Sequence, residues 1–148
     1  MSLEPLLSGA EPPGRYRFAG PQSLSELRAE AGRAAWISGV VDGRGMNDRM
    51  DLFDQFGSVL EFPSWFGGNW DAFADCLQDL SWLPASGYVV LWRRRSAGDR
   101  SLAAQADEVI DQAIDERVAM RLPPLYVVYA GPRNGPSGAA GSKLRSVR

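Results

Sequence analysis

The chain has 148 residues, 45% of them hydrophobic and 23% charged, which suits one domain large enough to bury a substantial core. It has no histidine and a single cysteine, Cys76; this rules out an internal disulfide and removes the usual general base, the usual zinc ligand and every nucleophile paired with histidine. The net charge of −2 conceals an asymmetry, because the four charges after Gly131 are all basic and residues 1–130 carry 12 basic against 18 acidic side chains, or −6. Such a field disfavours nucleic acid as a direct partner and steers basic proteins.

MSLEPLLSGAEPP lacks a basic start and a sustained apolar segment, and no run of about 18 apolar residues occurs, so a soluble cytoplasmic protein is expected. Residues 1–14, with Gly9, Pro12, Pro13 and Gly14, read as a flexible lead-in. RYRFAG, Arg15 to Gly20, alternates polar and aromatic groups and suits a short strand. Ser23 and Glu26 form a capping-box pattern ahead of Leu24 and Leu27, which predicts a brief amphipathic helix. AAWISGVVDG, Ala34 to Gly43, is apolar and β-branched, as a buried strand should be. Asn47 or Asp48 can then cap a helix over about 48–60, with Met50, Phe53, Phe56 and Leu60 at helical spacing.

Pro63 stops that helix and opens the most informative stretch, PSWFGGNWDAFADCLQDLSW, Pro63 to Trp82. Gly67 and Gly68 end an aromatic loop, and Asn69 is placed to cap a helix running to about Leu80. At about 100° per residue, Trp70, Phe73, Cys76, Leu77 and Leu80 share one face, while Asp71, Asp75 and Asp79 line up on the other. Cys76 is thereby expected as a buried structural thiol. A row of carboxylates is ordinarily a solvated helix face. Here, however, like charges four residues apart repel, only Asp71 gains from the helix dipole, and no Lys or Arg occurs between Asn69 and Leu83. Beside Trp65 and Phe66, which look exposed, the stripe has the character of a surface made to meet cations.

YVVLW, Tyr88 to Trp92, reads as a strand buried on both faces and implies parallel pairing. Arg93, Arg94 and Arg95 read as a solvated connection. From Ser101 an amphipathic helix follows, with Leu102, Ala106, Val109, Ile110, Ala113 and Val118 as its apolar stripe, and LYVVYA, Leu125 to Ala130, is the last apolar strand. Residues 131–148 are rich in glycine and basic groups and poor in apolar mass, so a disordered basic tail is expected after a domain at 15–130. Strands alternating with helices give an α/β class, with Trp36, Val40, Val89, Leu91, Val127 and Val128 among the core groups.

FPSWFGGNWDAFADCLQDL resembles the barstar signature of an aromatic pair, Gly, Asn, a spacer, Asp and then Asp-Cys-Leu; the later YVVLW and the apolar last strand fit too, so that the resemblance covers about residues 34–130. It implies a two-layer α/β fold with a small three-stranded parallel sheet packed with helices. It also implies an intracellular, immunity-type inhibitor, monomeric when free, that blocks the active site of a basic extracellular-type ribonuclease. Neither a cofactor, a metal, nucleic acid nor a membrane would take part. By the same resemblance Trp65, Asn69, Asp71 and Asp75 fall at partner-binding positions, with Asp75 as the phosphate mimic. Asp115 falls at a further acidic contact, with Glu116 one register away. Ala74 stands where the family has a tryptophan, and Gly68 where it has a glutamate. Two other readings remain open: an interaction module for another basic protein, and a Mg-dependent hydrolase with Asp71, Asp75 and Asp79 on the metal.

Overall fold

The structure is a computed structural model and describes residues 3–18, 20, 22–93, 100–130 and 145–146. In chain order the elements are α1 (Glu4–Leu7), β1 (Arg15–Phe18), α2 (Leu24–Arg33), β2 (Ile37–Asp42), a 3-10 turn (Gly43–Gly45), α3 (Arg49–Leu60), α4 (Trp70–Asp79), β3 (Tyr88–Arg93), α5 (Arg100–Ala119), β4 (Leu125–Ala130) and the two-residue β5 (Arg145–Ser146). All strand pairs are parallel and the order is β2-β3-β4-β1-β5.

The α/β class and the parallel sheet agree with the sequence, but the sheet has four full strands rather than three. The fourth is RYRF, which pairs with β4 from Arg15 opposite Val127 to Phe18 opposite Ala130. The helices also cover both faces, making three layers instead of two. The cause lies in β3 and β4, whose first five residues are buried on both sides and therefore require two covers. On one side Tyr88, Val90, Trp92, Leu125, Val127 and Tyr129 pack under α3, α4 and α5. On the other, Val89, Leu91, Tyr126 and Val128 pack with α1, α2, Tyr16 and Phe18.

That second cover corrects the expectation for the N-terminus. Leu3 and Leu6, far from belonging to a loose lead-in, are buried in this smaller core, and the Leu3 N–H donates to Glu30 Oε1 at 2.9 Å. The tail, apart from Arg145 and Ser146 beside Tyr16 and Arg17, lies outside the described residues, as do Arg94 and Arg95 of the basic triplet. β2 is an edge strand, so Trp36 and Val40 are only partly buried. In α3, Asp48 is the cap, accepting from the Asp51 N–H at 3.0 Å. Its buried stripe is Leu52, Phe53, Phe56 and Leu60, and Met50 is exposed.

β1 is tied to α5 by charge. Arg15 is almost fully buried and donates from Nε and Nη2 to the two carboxylate oxygens of Asp111 at 2.7 and 3.0 Å, with Asp107 3.3 Å from Nη1. A bidentate pair of this kind compensates the desolvation of the guanidinium.

Candidate functional site

The loop and helix of the Pro63–Trp82 stretch form one supported unit. Asn69 caps α4 by accepting from the Ala72 N–H at 2.8 Å, as its position before the apolar run requires. Phe53 of α3 pins the start of the helix, its ring lying 5.5 Å from Phe66, 5.1 Å from Trp70 and 5.3 Å from Phe73, the first two edge to face. Gly68 has φ +68 and faces Met50. A side chain at that position would strain the backbone, so the loop enters the helix through glycine. Phe66 is partly buried by these contacts, and of the aromatic pair only Trp65 is largely exposed, at 59%.

Beyond the loop, α4 buries Phe73, Cys76 and Leu77 and turns Asp71, Asp75 and Asp79 outwards. Among the described residues none of the three forms an ion pair. Asp79 Oδ1 accepts the Ser81 N–H at 3.1 Å, which ties this last carboxylate to the helix end. Burial, then the charges of Asp75 and Asp79, push the Cys76 thiol up to about 11, so the group that sequence spacing placed in the core is held neutral there.

Arg117 was not legible as part of this unit. The expected stripe of α5 ended on Val118, but Val118 is 53% exposed and Arg117, at 2%, takes the inward place. Its Nη1 donates to the carbonyls of Leu77, Gln78 and Asp79 at 3.3, 3.1 and 3.1 Å; Nε and Nη2 donate to the Pro123 carbonyl at 3.2 and 2.8 Å. The guanidinium also lies 5.2 Å from the ring of Tyr88. Burial lowers its pKa, against the pull of Tyr88 and Asp79.

The two acidic candidates of α5 occupy different sides. The buried stripe is Ala106, Ile110, Ala113, Ile114 and Arg117. At about 100° per residue, Asp115 lies on the face opposite that stripe. Asp107 and Asp111 lie on the flank that meets Arg15 of β1. Val109, Gln112 and Glu116 occupy the other flank, and α5 packs beside α4. Both Asp115 and Glu116 are exposed. Asp115, like the acidic row of α4, lies on the side of its helix away from the buried stripe.

Carboxylates on one face of one helix approach a cation from a single side, which suits a guanidinium or ammonium better than the enclosing shell a hard metal takes. Among the described residues no group of three His, Cys, Asp or Glu is arranged to hold a metal ion, and no helix is long and apolar enough to cross a membrane.

Fold and surface together define a parallel α/β domain that presents three exposed aspartates on one helix, braced by an aromatic loop. The family model described as barstar (barnase inhibitor) matches residues 38–130, more than half of the chain. The chain belongs to the barstar family, a family of inhibitors rather than enzymes. No curated protein matches it.

Proposed function

We propose that the chain is an immunity-type inhibitor of a basic, secreted-type ribonuclease, acting in the cytoplasm of the cell that makes the enzyme and filling its phosphate-binding site with α4 and the preceding loop. The observation that carries this reading is the exposed row of Asp71, Asp75 and Asp79, which form no ion pair among the described residues, together with the exposed ring of Trp65. A ribonuclease must hold phosphate with arginine and lysine, and a carboxylate row on a braced helix can meet those cations in the substrate's place. Asp75, mid-row, is the phosphate mimic in this arrangement. Trp65 and Asn69 contact the partner from the loop and Asp71 from the first turn. On α5, Asp115 supplies a further acidic contact, with Glu116 one register away. The binding unit is the monomer, and inhibition requires neither metal nor cofactor.

Ala74 and Gly68 leave the face smaller than the family pattern, which favours, as a second reading, a basic partner other than a nuclease. Inhibition of barnase, the enzyme that the family's description names, and capture of basic proteins on immobilised wild type and Asp75→Ala test the two together. Inhibition lost with Asp75→Ala supports the proposal. Tight, Asp75-dependent capture of a basic protein with no nuclease activity, and no inhibition of any ribonuclease, supports the second reading instead.

A further inference from the structure

We propose that Arg117 is a positioning residue for binding: it locks the last turn of α4 to α5 and so holds the acidic row of α4 in a fixed orientation. The inference rests on reading that row as the binding face, but its first test does not.

A buried guanidinium normally faces a carboxylate. The hydrogen bonds of Arg117 go instead to four main-chain carbonyls, three of them the orphan acceptors at the end of α4. Its charge sits where the dipole of α4 is negative and over the face of Tyr88. Two consequences follow. First, the cation attracts Asp79, the last of the three like charges, without forming an ion pair with the row among the described residues, so Asp71 and Asp75 keep their oxygens for a partner. Had the compensating arginine stood on the surface of α4, it would have neutralised the row. Second, the forked geometry bridges Leu77, Gln78, Asp79 and Pro123, and a lysine ammonium cannot reach such a set at once. The orientation of α4 against α5 is therefore set by shape as well as charge.

The test compares wild type with Arg117→Lys and Arg117→Met, at a temperature where far-ultraviolet circular dichroism shows all three folded. In the free proteins, amide hydrogen exchange in the last turn of α4, Cys76 to Leu80, is expected to quicken at least about tenfold in both variants while β3 and β4 stay protected. With barnase as the probe, dissociation is expected to quicken about tenfold in both, and association at low salt to hold or rise in Arg117→Met, which has lost a positive charge. Unchanged exchange in α4, a uniform rise over the whole sheet, or full rescue by lysine would overturn the positioning role. If wild type fails to bind barnase, the choice of partner fails, and the exchange measurement still decides the role of Arg117.

Discussion

Trp65 and Trp82 meet edge to face, their ring centroids 5.8 Å apart at 90°, and Trp82 is in turn fixed by its indole N–H on the Leu60 carbonyl at 3.0 Å. The most exposed aromatic ring of the loop before α4 is thus held by a half-buried one that is anchored to the end of α3. Holding a large side chain still before a partner arrives lowers the entropy cost of association.

This division of labour gives the first prediction. Trp65→Ala removes an exposed ring, so unfolding free energy should change by less than about 1 kcal/mol while affinity for a ribonuclease falls at least about tenfold. Trp82→Ala removes the anchor and should cost about 3 kcal/mol of stability. Urea unfolding and binding measured on the same two variants check the pair; a Trp65→Ala protein that binds like wild type would remove the loop from the interface.

Asn69 carries a structural duty separable from contact. Asn69→Ala should lower stability by about 1 kcal/mol through loss of the cap to Ala72, whereas Asn69→Asp, which keeps an acceptor and adds a favourable charge at the helix start, should hold it. Chemical denaturation of both variants measures this, and equal losses would mean that the cap contributes nothing.

Alkaline pH should weaken the fold through two buried groups. Burial raises the Cys76 thiol from 9.0 to about 11 and the Tyr126 hydroxyl from 10.0 to about 12. Above pH 9 the unfolded chain therefore releases these protons first, the native state binds more protons, and stability falls as pH rises through the window from 9 to about 12. Thermal unfolding from about pH 8 upward should show a progressive fall, together with slow reaction of Cys76 with a thiol reagent in the native state. A flat profile would contradict the assigned shifts.

Association should depend on salt. Residues 1–130 carry −6, and over a Debye length of about 10 Å at 0.1 M this field steers a basic enzyme to the face. The association rate should fall at least about tenfold between roughly 50 and 500 mM salt, with a smaller change in dissociation. Stopped-flow traces that superimpose across this range would exclude steering.

The central helix was legible because several local signals agreed: Asn69 at the cap, five apolar residues on one face and the acids on the other. Its actual span, Trp70–Asp79, follows from them. What escaped the sequence depended on distant partners. Leu3 and Leu6 stand in a short segment broken by glycine and proline, and nothing local shows that they dock on the second face of the sheet. Arg117 reads as a surface charge until the carbonyls of α4, 38 to 40 residues away, are brought to it. The inward place that the sequence gives to Val118 is taken in α5 by Ile114 and Arg117. β2 reads as a buried strand because it is apolar, yet it lies at the sheet edge, where flanking helices can favour apolar groups.

The final prediction concerns four carboxylates. Asp75 lies between Asp71 and Asp79 on the exposed face of α4, where a partner covering the row would exclude water around it. Truncating a desolvated charge leaves the partner's cation buried and unpaired, at a typical cost of 2 to 5 kcal/mol, or roughly two to four decades in affinity. Asp75→Ala should therefore abolish tight inhibition. In the free protein it relieves repulsion from Asp71 and Asp79 and introduces the best helix former, so stability should hold or rise by a few tenths of a kcal/mol. Asp79, already accepting the Ser81 N–H and standing next to the Arg117 site, should cost much less in binding when replaced. On α5, Asp115→Ala should weaken binding about tenfold and Glu116→Ala only through the association rate, because the family resemblance puts the further acidic contact at Asp115. Inhibition constants and melting temperatures of the four variants decide the matter together. If Glu116→Ala costs more than Asp115→Ala, the contact on α5 lies one register further on, and if Asp75→Ala still inhibits, α4 is not the inhibitory face.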